Sequence, residues 1–175
     1  MGKKNHYIDN KEFFKAMCDW KIEVKEAENL GDSRPPISDY IGRCFMKIAE
    51  HLAQKPNFTN YPYKDEMIND SIENCLMYAH NFDPEKSKNP FSYFTQIIYY
   101  AFLRRIEKEK KQNYIKFKLA EMKDDGTMSS WFKENYFEKD NIKIAMREHF
   151  NLSEEDIKRM APKGKKKKGS TGPFE

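Results

Sequence analysis

Apolar residues recur at helical spacing along most of the chain. Phe13, Met17, Trp20 and Val24 step by four, three and four residues, which places them on one face of an α-helix. The pattern predicts a first helix from about Asn10, as N-cap, to about Glu28. Gly31, Pro35 and Pro36 end it. Ser38 caps a predicted second helix with Ile41, Phe45, Ile48 and Leu52 on one stripe. Pro56 and Pro62 bracket the next loop. A third helix is predicted from about Tyr63 to Asn81, with Ile68, Ile72, Cys75, Leu76 and Ala79 as its apolar stripe. Its other side carries Glu66, Asn69, Asp70 and Glu73 at i, i+3, i+4 and i+7, a compact acidic face.

Phe82-Asp83-Pro84 breaks the third helix, because the residue before proline resists helical dihedrals. Asn89-Pro90 starts a fourth, with proline in the first turn where its missing N–H costs nothing. That helix is predicted from Phe91 to about Met122, and Asp125-Gly126 ends it. Shorter helices are expected at about 128–138, 140–149 and 154–160, the last capped by Ser153 with Asp156 three residues on. No strand pattern or hairpin turn stands out. The expected fold is all-α: a compact helical domain over residues 1–122, a helical extension over 123–161 and a flexible Lys/Gly-rich tail over 162–175.

Composition sharpens this picture. The chain has 175 residues, 38% apolar and 34% charged, enough for one core of ordinary size and too aromatic for a disordered chain. Residues 163–175 hold five lysines and one glutamate, which accounts for the whole net charge of +4. The body is therefore neutral, and any nucleic-acid surface on it is a local patch rather than a global field. Cys18, Cys44 and Cys75 make no CxxC pair and are expected to be free thiols in a reducing compartment. Met1-Gly2-Lys3-Lys4 is not followed by an apolar run, and no stretch approaches the roughly 20 apolar residues of a membrane span. A cytoplasmic protein without a membrane partner is expected.

Catalytic patterns do not stand out. The chain has no phosphate-cradling glycine loop and no GxSxG elbow, and His6, His51, His80 and His149 share no motif spacing. Asp124-Asp125 before Gly126 reads as a solvated turn. Neither enzymatic activity, a cofactor nor a metal is expected.

The fourth helix is the informative segment. Phe94, Ile97, Ile98, Ala101, Arg104 and Arg105 fall on one side, and Thr95, Tyr99, Phe102, Leu103 and Ile106 on another. A helix apolar on two sides is buried on both, or it meets a ligand with flat apolar faces. Unstacked nucleobases are such a ligand. The same helix then turns basic, with Arg104, Arg105, Lys108, Lys110, Lys111, Lys116 and Lys118 against Glu107 and Glu109. Aromatics followed by cations suit DNA held by its phosphates and opened nearby. A core helix with a solvated charged end fits the spacing as well.

Here the residues resemble a known family. Glu66-Met67-Ile68-Asn69-Asp70-Ser71, then Phe82-Asp83, then Phe91-Ser92-Tyr93-Phe94 and on to Arg105 resemble conserved region 2 of bacterial primary sigma factors. Asn10-Lys11-Glu12, Asp19-Trp20-Lys21, Ile48-Ala49-Glu50, Asn57-Phe58, His80-Asn81-Phe82-Asp83, Lys88-Asn89-Pro90, Thr95-Gln96 and Ala101-Phe102 are similar, in order and spacing, to the late-transcription sigma factors of T-even-like phages. The resemblance covers about residues 7–120.

That resemblance implies a protein that binds host core RNA polymerase in an infected bacterium's cytoplasm. It would direct the enzyme to a TATA-rich −10-like promoter element and help melt it. Glu66, Asn69, Asp70 and Glu73 would dock on the clamp coiled coil of the largest polymerase subunit. Tyr93, Phe94, Ile97, Ile98, Tyr100, Ala101, Arg104, Arg105 and Lys108 would face promoter DNA. Phe94 falls at the family's base-capturing tyrosine, and Ile97-Ile98 at its tryptophan pair. Isoleucine cannot stack as indole does, which shifts weight to Phe94, Tyr93 and Tyr100. Ala101 lacks a hydrogen-bonding group for base readout, which leaves flipped bases and A·T deformability to discriminate sequence. Phe94→Ala would then spare polymerase binding and reduce promoter opening.

The family's C-terminal peptide grips a sliding clamp. Here only Phe174-Glu175 resembles it, in a Lys/Gly-rich end, so a sliding clamp and a phage co-activator remain open as partners. Two rival functions also stand: a polymerase-binding helical adaptor that does not read DNA, and a freestanding DNA-binding protein with a basic tail.

Overall fold

In the computed structural model, which describes residues 7–122 (side chains to 119), 144 and 147–161, all regular structure among the described residues is helical. Helix α1 spans Asn10–Leu30, α2 Asp39–Ala53, α3 Lys64–Tyr78, α4 Pro90–Met122 and α5 Glu154–Met160; a 3-10 turn, Ala79–Asn81, follows α3. The fold is all-α, as expected. The helix predicted at 128–138, the turn at Asp124-Asp125-Gly126 and the tail from Pro162 lie outside the described residues. Of the helix predicted at 140–149, residues 144 and 147–149 are described and helical.

Local chemistry explains the boundaries. Asp9, not Asn10, caps α1, accepting from the N–H groups of Lys11 and Glu12. The Asn10 side chain instead accepts from the Phe91 N–H at 3.2 Å, tying the start of α1 to the start of α4. Gly31 closes α1 at φ 75°, a left-handed conformation that glycine adopts without penalty. Ser38 caps α2 through Ile41 N–H. Asn89 accepts from Ser92 N–H at 3.0 Å, and Pro90 opens α4.

The chain divides into two units, Met1–Glu107 and Lys108–Glu175, and the division falls within α4. In the first unit the predicted stripes of α1 and α2 are buried together: Phe13, Met17, Trp20 and Val24 against Ile41, Phe45, Ile48 and Leu52. Five phenylalanines, Phe13, Phe45, Phe82, Phe94 and Phe102, are fully buried. Burial of each is worth about 1.5–3 kcal/mol. Trp20 keeps its indole N–H satisfied on the Pro35 carbonyl at 3.2 Å.

Helix α3 corrects its predicted stripe. Met67, Ser71, Cys75 and, in the 3-10 turn, Ala79 face the core, while Leu76 is 48% exposed. The buried face thus includes Ser71, which counting apolar residues alone passes over. Its hydroxyl donates to the Ile68 carbonyl at 2.7 Å, so the buried polar atom is satisfied. Cys44 and Cys75 are buried free thiols and Cys18 is half-buried. Burial pushes the Cys75 thiol up to about 12.

In the second unit Tyr114, Phe117 and Leu152 form a small core with Phe150, Ile157 and Met160. Asp156 is its polar hub. It accepts from Lys110 Nζ and from Ser153 Oγ, each at 2.8 Å, and its own N–H donates to Ser153 Oγ at 3.1 Å. The predicted capping arrangement at Ser153 is thus present, with Asp in place of the usual Glu.

Candidate nucleic-acid and partner interface

The aromatic half of α4 lies in the first unit, and its side chains separate into two rows. Phe94, Ile98, Ala101 and Phe102 point into the core. In the row Tyr93, Gln96, Ile97, Tyr100 and Arg104, at i, i+3, i+4, i+7 and i+11, Gln96, Tyr100 and Arg104 are exposed while Tyr93 and Ile97 are partly buried against the core edge. With Tyr78 from α3 they line a shallow groove of about 280 Å³. The predicted side of α4 therefore splits between the core and the groove.

Three of the residues expected to face DNA, Phe94, Ile98 and Ala101, lie inside the core. The Phe94 ring is packed on Phe45 at 4.4 Å, Phe13 at 5.8 Å and Phe82 at 6.1 Å between centroids. Ile98 and Ala101 are buried beside it. The core takes the whole i, i+4, i+7, i+8 face of α4. Tyr93 is half-buried, edge-on to Phe82 at 5.3 Å, and burial pushes its hydroxyl upward. Tyr100, 51% exposed, is the open aromatic of the predicted set.

The cations sit differently from one another. Arg105 lies in line with the buried row, and its guanidinium donates to the Asp70 carboxylate at 3.1 Å. Arg104 is exposed and donates to the Asn74 side-chain carbonyl at 2.7 Å. Asn74 in turn donates through Nδ2 to the Asp70 backbone carbonyl. These bonds form one connected chain between α3 and α4. Lys108 is exposed and falls in the second unit.

On α3, Glu66, Asn69 and Glu73 are exposed and Asp70 is partly so. The acidic face is thus on the surface, and Leu76 and Met77 extend it at i+10 and i+11 as an apolar end. Sequence reasoning missed Asn74, Tyr78 and Gln96. Tyr78 follows the acidic face on α3 and carries no family motif. Gln96 could have been found, because it shares the groove row's helical spacing with Tyr93 and Tyr100.

A larger depression, about 540 Å³, lies between α1 and residues 80–86. Lys21 donates to the His80 carbonyl at 2.7 Å and Lys86 pairs with Asp83 at 3.4 Å, while His80 Nδ1 is buried without a hydrogen-bond partner.

Among the described residues no helix is long and apolar enough to cross a membrane. Compared with known proteins, the chain matches no protein-family model and no curated sequence.

Proposed function

We propose that this chain is a phage late sigma factor. In this reading it binds host core RNA polymerase and directs recognition and melting of a TATA-rich −10-like element, in the cytoplasm of an infected bacterium. The observation that carries the reading is the adjacency of two unlike surfaces in one unit. An exposed acidic face on α3 lies beside an outward aromatic and cationic row on α4, and Asp70–Arg105 joins them. The acidic face suits a basic helical partner, with Glu66, Asn69, Asp70 and Glu73 as its contacts. The α4 row suits bases and phosphates, with Tyr93, Ile97, Tyr100 and Arg104 taking the DNA role. Arg105 acts mainly by holding α3 and α4 together.

A second reading, a polymerase-binding adaptor that does not read DNA, gains from the burial of Phe94, Ile98 and Ala101. Footprinting on a late-type promoter separates the two. The sigma reading predicts protection of the −10-like element only when chain and core polymerase are both present, and its loss in Tyr100→Ala. The adaptor reading predicts polymerase binding with no such footprint.

A further inference from the structure

We infer that the depression between α1 and residues 80–86 is a binding site for a small organic anion, an apolar body carrying one carboxylate or phosphate group. None of its lining residues belongs to the surfaces proposed above for polymerase or DNA, so the two readings stand or fall separately. The depression lies within the first unit. Its volume of about 540 Å³ falls inside the roughly 300–1,000 Å³ of small-molecule sites.

The sequence of α1 builds one wall. Cys18, Lys21, Ile22 and Lys25 all line the depression, and their spacing of i, i+3, i+4 and i+7 puts them on one helix face. The charged residues of that face are both lysines, while Glu23 and Glu26 lie off it. Ile22 is 56% exposed, a large apolar side chain left in water between two cations. The other wall adds His80, the Pro84 ring and Lys86. Three ammonium groups thus line the depression against two carboxylates, Asp83 and Glu85. Asp83 is already engaged, by the Glu85 N–H at 3.0 Å and by Lys86 at 3.4 Å. The balance of charge is positive.

The uncommitted groups select the ligand. The Lys25 ammonium makes no hydrogen bond or ion pair among the described residues. Lys21 gives one N–H to the His80 carbonyl at 2.7 Å, which ties the two walls together and leaves its other donors for an anion. His80 Nδ1 is buried without a partner. Buried nitrogens of that kind are rare in native proteins, and an oxygen on the ligand is a partner the chain does not provide. Charge and apolar wall together favour an amphiphilic anion. A bare phosphate would leave Ile22 and Pro84 in water, and a neutral hydrocarbon would leave Lys25 unpaired.

The test uses the full chain and anilinonaphthalene sulfonate, an apolar body with one anionic group whose emission rises on burial. The expected result is saturable binding of one probe per chain, with a Kd of roughly 10–100 μM for a ligand of about twenty non-hydrogen atoms. Phenyl phosphate or benzoate should displace it, the more effective of the two naming the anionic group. Inorganic phosphate and acetate should not displace it at the same concentration. Lys25→Met should weaken binding about two- to fivefold, the range of one exposed ion pair. Ile22→Ser should weaken it about three- to tenfold, as for an apolar side chain partly covered by the ligand. Lys15→Met removes a lysine of the same helix outside the depression and should change nothing. All three side chains are exposed, so the unfolding midpoint should not move. Saturating probe should also slow alkylation of Cys18 several-fold. No binding, equal binding of the neutral phenylnaphthylamine, or affinity indifferent to both Lys25→Met and Ile22→Ser would overturn the site. So would Cys18 reactivity that saturation leaves untouched, because the probe would then sit elsewhere.

Discussion

The Arg105 guanidinium meets the Asp70 carboxylate at 3.1 Å, with the arginine side chain 16% exposed and the aspartate 37%. One residue comes from the aromatic and basic helix and the other from the acidic face, so the surfaces proposed for DNA and for polymerase share an ion pair. Asp70 is therefore a poor probe of docking, because its replacement also removes a charged partner from a half-buried arginine. Asp70→Asn is expected to lower stability by about 1–2 kcal/mol, between a surface pair and a buried one. Denaturant unfolding measures it. Glu66→Lys and Glu73→Lys, both at exposed positions, should leave the unfolding midpoint within experimental scatter and weaken binding to core polymerase. Unchanged affinity in both would remove the acidic face from the interface.

Phe94→Ala is expected to behave as a core deletion. With Phe13, Phe45 and Phe82 around it, loss of the ring should cost about 3–5 kcal/mol. Chemical denaturation checks this directly. The resemblance instead implies a variant that spares polymerase binding and reduces promoter opening. A stability change under about 1 kcal/mol would return Phe94 to the surface.

Thiol labelling tests the core independently. Cys75 and Cys44 are buried, and burial pushes both thiols upward. Cys18 is half-buried, and its thiol is raised by burial and by Asp19. Native chain should react first, and slowly, at Cys18, with Cys44 and Cys75 labelled only as the unit unfolds. Rapid modification of Cys75 under native conditions would contradict the placement of α3.

Asp156 gives the second unit an acid sensitivity. Burial disfavours its carboxylate, but the hydrogen bonds from Lys110 and Ser153 outweigh this and hold it below its usual range. A carboxyl depressed on folding adds stability above its unfolded value, near 3.9, and that stability is lost as pH falls through the folded value. Contacts around Tyr114, Phe117 and Leu152 should therefore loosen below about pH 4, with Asp156→Asn less affected by the same drop. Chemical shifts of the Tyr114 ring across a pH series report it. An identical profile in Asp156→Asn would place the sensitivity elsewhere.

The fold was largely legible in the sequence because α1 and α2 are plainly amphipathic and their caps, Ser38 and Gly31, are chemically marked. Helix α3 misled because its buried face carries a serine. Counting apolar residues alone moves the stripe toward Leu76, whereas packing selects the small side chain of Ser71. Helix α4 was placed correctly, from Asn89-Pro90 onward, but not its orientation. It is apolar on nearly every side around Phe94–Leu103, so periodicity could not tell a core phenylalanine from a surface tyrosine. Only the partners do so: Phe13, Phe45 and Phe82 claim Phe94, and Tyr78 stands beside the row of Tyr93 and Tyr100. The acidic face of α3 was legible because like charges at i, i+4 and i+7, with Asn69 between them at i+3, have nowhere else to go.

Transcription from a TATA-rich −10-like template by host core polymerase, with and without this chain, tests the central claim most directly. The sigma reading predicts specific initiation on supercoiled or pre-melted DNA only when the chain is added, and its loss in Tyr100→Ala. Failure of the chain to bind core polymerase at all would contradict the account.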